Sequence, residues 1–255
     1  MIAVSGTGAT VIDSGKWIYD GRIYLGPRDY FYLKASGFEQ AFPIGMLGKI
    51  GLMLMLILKW LAHIFHNYGV AVMLLAAGVT SCLSPFTMIS YKSMKKMQEL
   101  QPRMDALKKK YANDTQRANQ EVFALFKEHK VSPISGCLPM LLQMPIFFAL
   151  WSAITHVIEL RGERFLWIRD LSLPDRLAKL PGGLDLNILP ILMAGAMFVQ
   201  TKLTQPKVSS TQNPFSGPMM SVLFGVMFYT VPAGLVLYWL TNTLTSIAWY
   251  KLSKI

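Results

Sequence analysis

The sequence predicts an all-α polytopic membrane protein: five transmembrane helices, a cytoplasmic antiparallel helical hairpin, an interfacial helix and a short β remnant at the N-terminus. Three observations predict it. The 255 residues are 53% hydrophobic and only 15% charged, too apolar for an ordinary soluble domain of this size. Long apolar stretches alternate with short basic ones that can all be placed on one side of a membrane. One strongly charged segment, residues 91–130, keeps helical spacing throughout. The formal net charge of +11 comes from runs beside apolar stretches, so anionic lipid headgroups rather than nucleic acid are the expected counter-charge.

Residues 1–40 form the β remnant. Met1–Ile12 has neither a basic start nor an apolar run of adequate length, so it is not a signal peptide. Lys16–Ala35 alternates aromatic and polar side chains: Trp17, Tyr19, Ile23, Tyr24 and Leu25, a turn at Gly26-Pro27, then Tyr30–Leu33. That alternation predicts short strands, too few for a stable sheet alone. Residues 41–67 are expected to be an interfacial amphipathic helix. Ile44–Phe65 is apolar, yet Lys59, His63 and His66 share one face at spacings of four and three, and lysine deep in hydrocarbon is expensive. A membrane span is the alternative for this stretch.

Residues 68–255 form the five-span core. Tyr68–Ser90 carries no charge and, at about 1.5 Å per residue, is long enough to cross about 30 Å of hydrocarbon, with a kink expected at Pro85. Tyr91–Lys130 then holds ten Lys or Arg and five Asp or Glu. Met97, Leu100, Met104, Leu107 and Tyr111 recur at three and four, as do Ala118, Val122, Leu125 and His129. With Asn113-Asp114-Thr115 as turn and N-cap, the two arms of this 91–130 hairpin are expected to pack antiparallel. Four spans follow: Cys137–Ile158, Asn187–Leu203, Phe215–Val231 and Ala233–Tyr250, the last two joined at Pro232-Ala233-Gly234. Glu159–Asp185 holds five basic and five acidic residues and is read as external. The 91–130 hairpin, Lys202, Lys207, Lys251 and Lys254 fall on the other side, which the positive-inside rule makes cytoplasmic. The N-terminal region is then outside and the C-terminus inside.

Enzyme chemistry finds no footing in these residues. There is no HExxH, no phosphate-binding glycine loop, no Cys/His cluster and no carboxylate within the five spans. Neither intramembrane catalysis nor proton-coupled transport is expected, and no metal, cofactor or nucleotide is implied. Cys82 and Cys137 read as free thiols in apolar surroundings, and His63 and His66 as interfacial polar residues rather than ligands. What stands out is an uncharged polar set: Thr80, Ser84 and Thr87 leading to Tyr91, then Gln143, Gln200, Tyr238, Thr241, Asn242 and Thr245. Such residues can hold a helix pair together or bond their own backbone. Together they can also line a wet groove through which a polar terminus avoids hydrocarbon.

Several motifs are specific. They are Ser90-Tyr91-Lys92-Ser93-Met94 with Lys96-Met97 and Leu100-Gln101-Pro102, then Gln120-Glu121 and Ala124-Leu125, and above all the unbroken run Gly136–Phe147. Leu189–Met193 and Pro232–Tyr238 with Asn242 add to them. Over roughly Pro85–Tyr250 the chain resembles the YidC-type membrane protein insertase family. The resemblance implies a bacterial cytoplasmic (inner) membrane protein with a periplasmic N-terminal region and a hydrophilic groove open to cytoplasm and lipid but closed outside. It implies nascent membrane proteins as substrates, the lipid bilayer, the Sec translocon and the ribosome as partners, and no nucleotide or metal. Ile23–Ala35 is similar to the last strands of the external β-domain of Gram-negative members. Such members begin with a signal-anchor span and a large β-domain, so the chain is expected to be shortened at its N-terminus.

One departure bears on mechanism. The family's first core span typically holds an Arg five residues before the proline matching Pro85; here that position is Thr80, and Tyr68–Ser90 contains no Lys or Arg. Thr80 and its stripe are therefore expected to hydrate the groove without a fixed charge. For the hairpin, Lys92, Lys95, Lys96, Arg103, Lys108, Lys109, Lys110 and Arg117 are candidate contacts with ribosomal RNA or targeting machinery, although the positive-inside rule alone also accounts for them. A small-solute transporter or channel is the rival function; it would need paired broken helices or repeats. An intramembrane protease would need a Ser and His at matching depth.

Overall fold

A computed structural model describes residues 2–12, 16–25, 30–38, 46–129, 131–132, 138–156, 158–179, 185–204 and 218–253. The chain opens on an antiparallel pair, β1 (Ile2–Ile12) and β2 (Lys16–Leu25), which runs from Ile2 opposite Leu25 to Ile12 opposite Lys16. Strand character is thus correct for Lys16–Leu25. It is wrong for Tyr30–Leu33, which belongs to a helix, α1 (Tyr30–Ala35). The spacing explains the difference: Tyr30 and Leu33, three apart, share one side of a helical turn, and both pack with Phe38 while Tyr32 is exposed. Gly37 ends the helix at φ +79°, which lets the Phe38 N–H reach back to the Leu33 carbonyl at 2.7 Å. The Gly26-Pro27 turn lies outside the described residues.

Helix α2 (Met46–Phe65) buries Leu54, Met55, Leu58 and Ala62 against α5 and α3 and leaves Met53, Leu56, Ile57, Trp60 and Ile64 exposed. At the closest approach Gly51 faces Ala149, whose carbonyl oxygen would lie 2.9 Å from any Cβ there. Lys59 does not simply join a solvated stripe with His63 and His66. Its Nζ sits 2.8 Å from Glu159 Oε1, a partner one hundred positions away that no local reading could supply.

His66 at φ +51° breaks the chain between α2 and α3, and Asn67 caps α3 by accepting a bond from the Val70 N–H at 3.1 Å. Helix α3 (Tyr68–Lys110) is continuous. The expected span and the first hairpin arm are one helix, with Pro85 and Pro102 inside it. Asp114 caps α4 (Thr115–Glu128) by accepting from the Arg117 N–H at 2.9 Å. Helix α4 folds back antiparallel along the end of α3, bringing Arg103 Nη1 within 3.3 Å of His129 Nε2. Its buried seam is Ala118, Val122 and Phe126. Leu125, expected on that seam, is half-buried, and its neighbour Phe126 takes the buried position.

The remaining elements are α5 (Leu138–His156), a 3-10 turn (Ile158–Leu160), a two-residue ladder of β3 (Ala178–Lys179) with β4 (Asp185–Leu186), and α6 (Ile188–Thr204). Then come α7 (Pro218–Met227), a 3-10 turn (Phe228–Thr230) and α8 (Ala233–Leu252). Helix α8 packs on α3 and α6, and α7 on α6. The main core draws on all of these helices except α1, α4 and α7, with Leu150, Met193 and Tyr238 essentially inaccessible. Among the described residues, α2 and α3 are each long and apolar enough to cross a membrane, while α5, α6 and the α7 region hold shorter apolar stretches.

The described residues 161–179 and 185–187 close one end of this bundle. Helix N-termini leave N–H groups without intrahelical partners, and here the segment satisfies them. Leu173 and Leu171 carbonyls accept from Ala233 and Gly234 at 2.8 and 2.9 Å, and buried Asp175 accepts from Leu189 N–H at 2.7 Å. Arg176 pairs with Asp185 at 3.0 Å. Asp170 anchors the turn. Burial opposes its ionisation, but the Ser172 hydroxyl and N–H, at 2.7 and 2.8 Å, the Gly162 N–H and the Arg161 charge together hold its carboxyl below the usual range. A depressed carboxylate stabilises the fold above its ordinary value and loses that contribution as pH falls through the lower folded value. Ser172→Ala is therefore expected to lower the melting temperature by about 2–4 °C at pH 7. That difference should shrink towards pH 3, as read by thermal unfolding in detergent across the two conditions.

Candidate functional site

A cavity of about 220 Å³ lies among α3, α5, α6, α7 and α8. Its walls are the middle of α3, the start of α5 and α7, the last turns of α6 and the second half of α8. It therefore sits toward the end of the bundle that carries the α3–α4 hairpin. The other end is filled. Phe147, Phe228 and Trp239 meet ring to ring at 5.2–5.8 Å, Phe224 lies tilted against Trp239 at 5.6 Å, and residues 161–179 cover the helix ends beyond them.

Among the described residues, the cavity wall mixes hydroxyl and amide side chains with Leu, Met, Phe and Trp and carries no Lys, Arg, Asp or Glu. Many of its hydroxyls are already engaged. Thr80 donates to the Ala76 carbonyl at 2.7 Å, Thr87 to Ser84 at 2.9 Å, Thr204 to Gln200 at 2.8 Å and Thr243 to Trp239 at 2.9 Å. This back-bonding lets a short polar side chain sit in an apolar helix without an unpaired group. A second arrangement spans two helices: Gln143 Nε2 donates to the Tyr238 hydroxyl at 2.9 Å, and Asn242 Nδ2 donates to Gln143 Oε1 at 3.1 Å. Toward the hairpin, Tyr91 hydrogen-bonds Gln200 and meets the edge of Tyr250 at 5.3 Å, while Gln98 donates to the Thr204 carbonyl at 3.3 Å. Trp249 bonds Ser81 at 3.1 Å, tying α8 to α3 on the outside.

Of the residues singled out in the sequence, Thr80, Thr87, Gln143, Gln200 and Asn242 line the cavity, and Tyr238 stands behind it through Gln143. Ser84, Thr241 and Thr245 do not line it. Each residue turns a helix by about 100°. On α3 the lining residues Thr80, Leu83, Thr87, Tyr91 and Met94 centre about 20° to one side of Thr80, while Ser84, about 40° to the other side, is buried outside that face. On α8 the lining face holds Trp239, Asn242, Thr243 and Ser246, so Thr241 and Thr245 point elsewhere. Thr201, Thr204, Thr243 and Ser246 were legible as continuations of the Gln200 and Asn242 faces at spacings of one, three and four. Ser221 was not, because it is a single polar residue in an apolar run.

In the hairpin, Lys92, Lys95, Lys96, Arg103, Lys109, Lys110 and Arg117 are exposed and Lys108 is half-buried. Lys110 and Arg117 both lie 5.3 Å from the centre of the Tyr111 ring, a cation–π arrangement that stiffens the hairpin tip.

Comparison with known proteins agrees with this architecture. The family described as 60Kd inner membrane protein matches residues 60–253. The membrane protein insertase YidC of Pelobacter propionicus is 44% identical over 234 residues, covering 89% of this chain and 42% of that protein. The one from Syntrophus aciditrophicus is 44% identical over 230 residues, covering 89% and 40%. A crystal structure of an active YidC insertase with its first transmembrane domain resolved superposes with a TM-score of 0.63 at 27% identity, over 93% of this chain and 57% of that one. The chain thus spans about two-fifths of the length of the curated relatives it matches. The mostly helical fold, the motif run along α3 and α5 and these matches lead to one conclusion: the chain belongs to the 60Kd inner membrane protein family, that of the YidC membrane protein insertases.

Proposed function

We propose that this chain is the core of a non-enzymatic membrane protein insertase of the bacterial inner membrane. It receives nascent hydrophobic segments through the polar cavity and releases them to lipid. The observation that carries the reading is a polar, uncharged cavity inside an otherwise apolar helix assembly, near the hairpin end and blocked at the other by aromatic packing. A polar tail placed there keeps hydrogen-bonding partners while its apolar segment moves sideways into the bilayer. In this reading α3, α5, α6, α7 and α8 are the five spans, the hairpin is cytoplasmic and the N-terminal region periplasmic. Helix α2 lies along the outer interface, which fits its contacts: Leu52 with Leu33 and Phe38, and Lys59 with Glu159 beyond the end of α5. The exposed hairpin cations face ribosome or anionic lipid, and the Sec translocon is a further partner.

The test is insertion in vitro. The chain is reconstituted into liposomes and membrane protection is followed for a small reporter with a short external tail. Protection above empty liposomes is expected; none, with the chain folded, refutes the reading. Thr80 brings no charge to the cavity, so tails should be accepted with little regard to their charge. Thr80→Arg is expected to favour acidic over neutral tails by about tenfold, one attraction of roughly 1.4 kcal/mol. An unchanged preference would remove position 80 from tail selection.

A further inference from the structure

Building on the insertase reading, we infer that Ser221, at the start of α7, is the hydrogen-bonding position of the cavity kept open for the passenger's polar tail. Four buried side-chain oxygens lack a partner among the described residues: Ser90 Oγ, Glu159 Oε2, Asp175 Oδ1 and Ser221 Oγ. Ser221 is the one that lines the cavity, and only 2% of the residue is accessible. Its situation differs from that of five other wall groups. Thr80, Thr87, Thr204 and Thr243 return their hydroxyls to their own helices, and Gln143 is committed to Tyr238 and Asn242. A serine ordinarily makes the same return bond to a carbonyl one turn back. Ser221 makes none, although burying a hydroxyl without a partner is unfavourable.

The chemistry that would complete it is a peptide or amide group. The Ser221 hydroxyl can donate to a carbonyl and accept from an N–H, and a hydrophilic tail offers both at every residue whatever its sequence. Neighbouring positions on α7 face outward: Val222 and Leu223 are 64% and 51% exposed, a surface suited to lipid. Helix α7 would thus offer a passenger one hydrogen-bonding contact on its inner face beside an apolar outer face. The α3 stripe, prominent in the sequence, contributes polarity but little free bonding capacity.

The experiment uses proteoliposomes of the whole chain and two reporters with the same single span, one with a long Ser/Asn/Gln-rich tail and one with a tail of a few residues. Ser221→Ala is expected to lower the ratio of long-tail to short-tail insertion by about three- to tenfold, the loss of one hydrogen bond. In parallel, on addition of a thiol oxidant such as copper–phenanthroline, Ser221→Cys is expected to form a disulfide with a thiol placed in the tail of an arrested long-tail reporter, above the background from Cys82 and Cys137 in the unaltered chain. Val222→Cys should not. Insertion of both reporters with an unchanged ratio and no Ser221→Cys crosslink overturns this inference alone. Insertion of neither reporter by the unaltered chain overturns the insertase reading and this inference with it.

Discussion

Gly69→Ala is expected to destabilise the protein by about 1–3 kcal/mol, the range of an overpacked contact. A Cβ at position 69 would fall within the van der Waals envelope of Phe165, against the Cβ, Cγ and Cδ2 atoms at the base of the ring. These are not the mobile end of a flexible side chain. Phe165 is also fixed from its own side, because its N–H and carbonyl exchange bonds with Ile168 at 3.0 and 2.8 Å. Relief would require the closing segment to lift off the first turn of α3. Gly78 provides the contrast on the same helix: a Cβ there meets nothing within 4 Å, so Gly78→Ala should be neutral or stabilise by about 0.5–1 kcal/mol through helix propensity. Thermal unfolding in detergent checks both. Phe165→Ala combined with Gly69→Ala should cost less than the sum of the single changes, since removing the ring removes the clash.

Gln143→Leu is the second large effect. Among the described residues, this side chain hydrogen-bonds the start of α5 to the α8 pair Tyr238 and Asn242. Leucine is one atom shorter and supplies neither the donor to the Tyr238 hydroxyl nor the acceptor for Asn242. Tyr238 is fully buried, so its hydroxyl would be left without its partner, and a lost network of this kind costs about 2–4 kcal/mol. The cavity wall would become apolar at the same place. Insertion of a polar-tailed reporter should therefore fall by roughly tenfold or more, beyond what a matched loss of stability elsewhere produces. Gln143→Glu is the discriminating companion: it retains an acceptor for Asn242 while bringing a charge into the cavity. Unfolding and liposome insertion measured on the same preparations separate the two contributions. Equal insertion by Gln143→Leu and the unaltered chain would remove Gln143 from the transport path.

Much of this protein is determined by local chemistry that can be read along the chain. Uninterrupted apolar stretches dictate the start of α3 and both ends of α5, α6 and α8 to within a few residues, because burying or solvating their backbone in any other form is costly. Asp114 caps α4 where the sequence places a turn, and the motif run Gly136–Phe147 sufficed to indicate the family. Only the tertiary structure decided the rest. That α3 runs unbroken from Tyr68 to Lys110 depends on packing along α8 and α4, which outweighs the change from apolar to charged composition at Tyr91. That Tyr30–Ala35 is helical depends on Leu33 meeting Phe38 across a single turn. The partner of Lys59 is a carboxylate beyond another helix. The same holds within the cavity. Helical spacing brought Thr80, Thr87, Gln143, Gln200 and Asn242 to notice, but whether Ser84 or Thr245 faced inward turned on rotations of a fraction of a turn. Ser221 became visible only once α7 was set against α6 and α8. A hydroxyl's neighbours, and hence whether it has a bond left to offer, are properties of the assembled helices and not of its own segment.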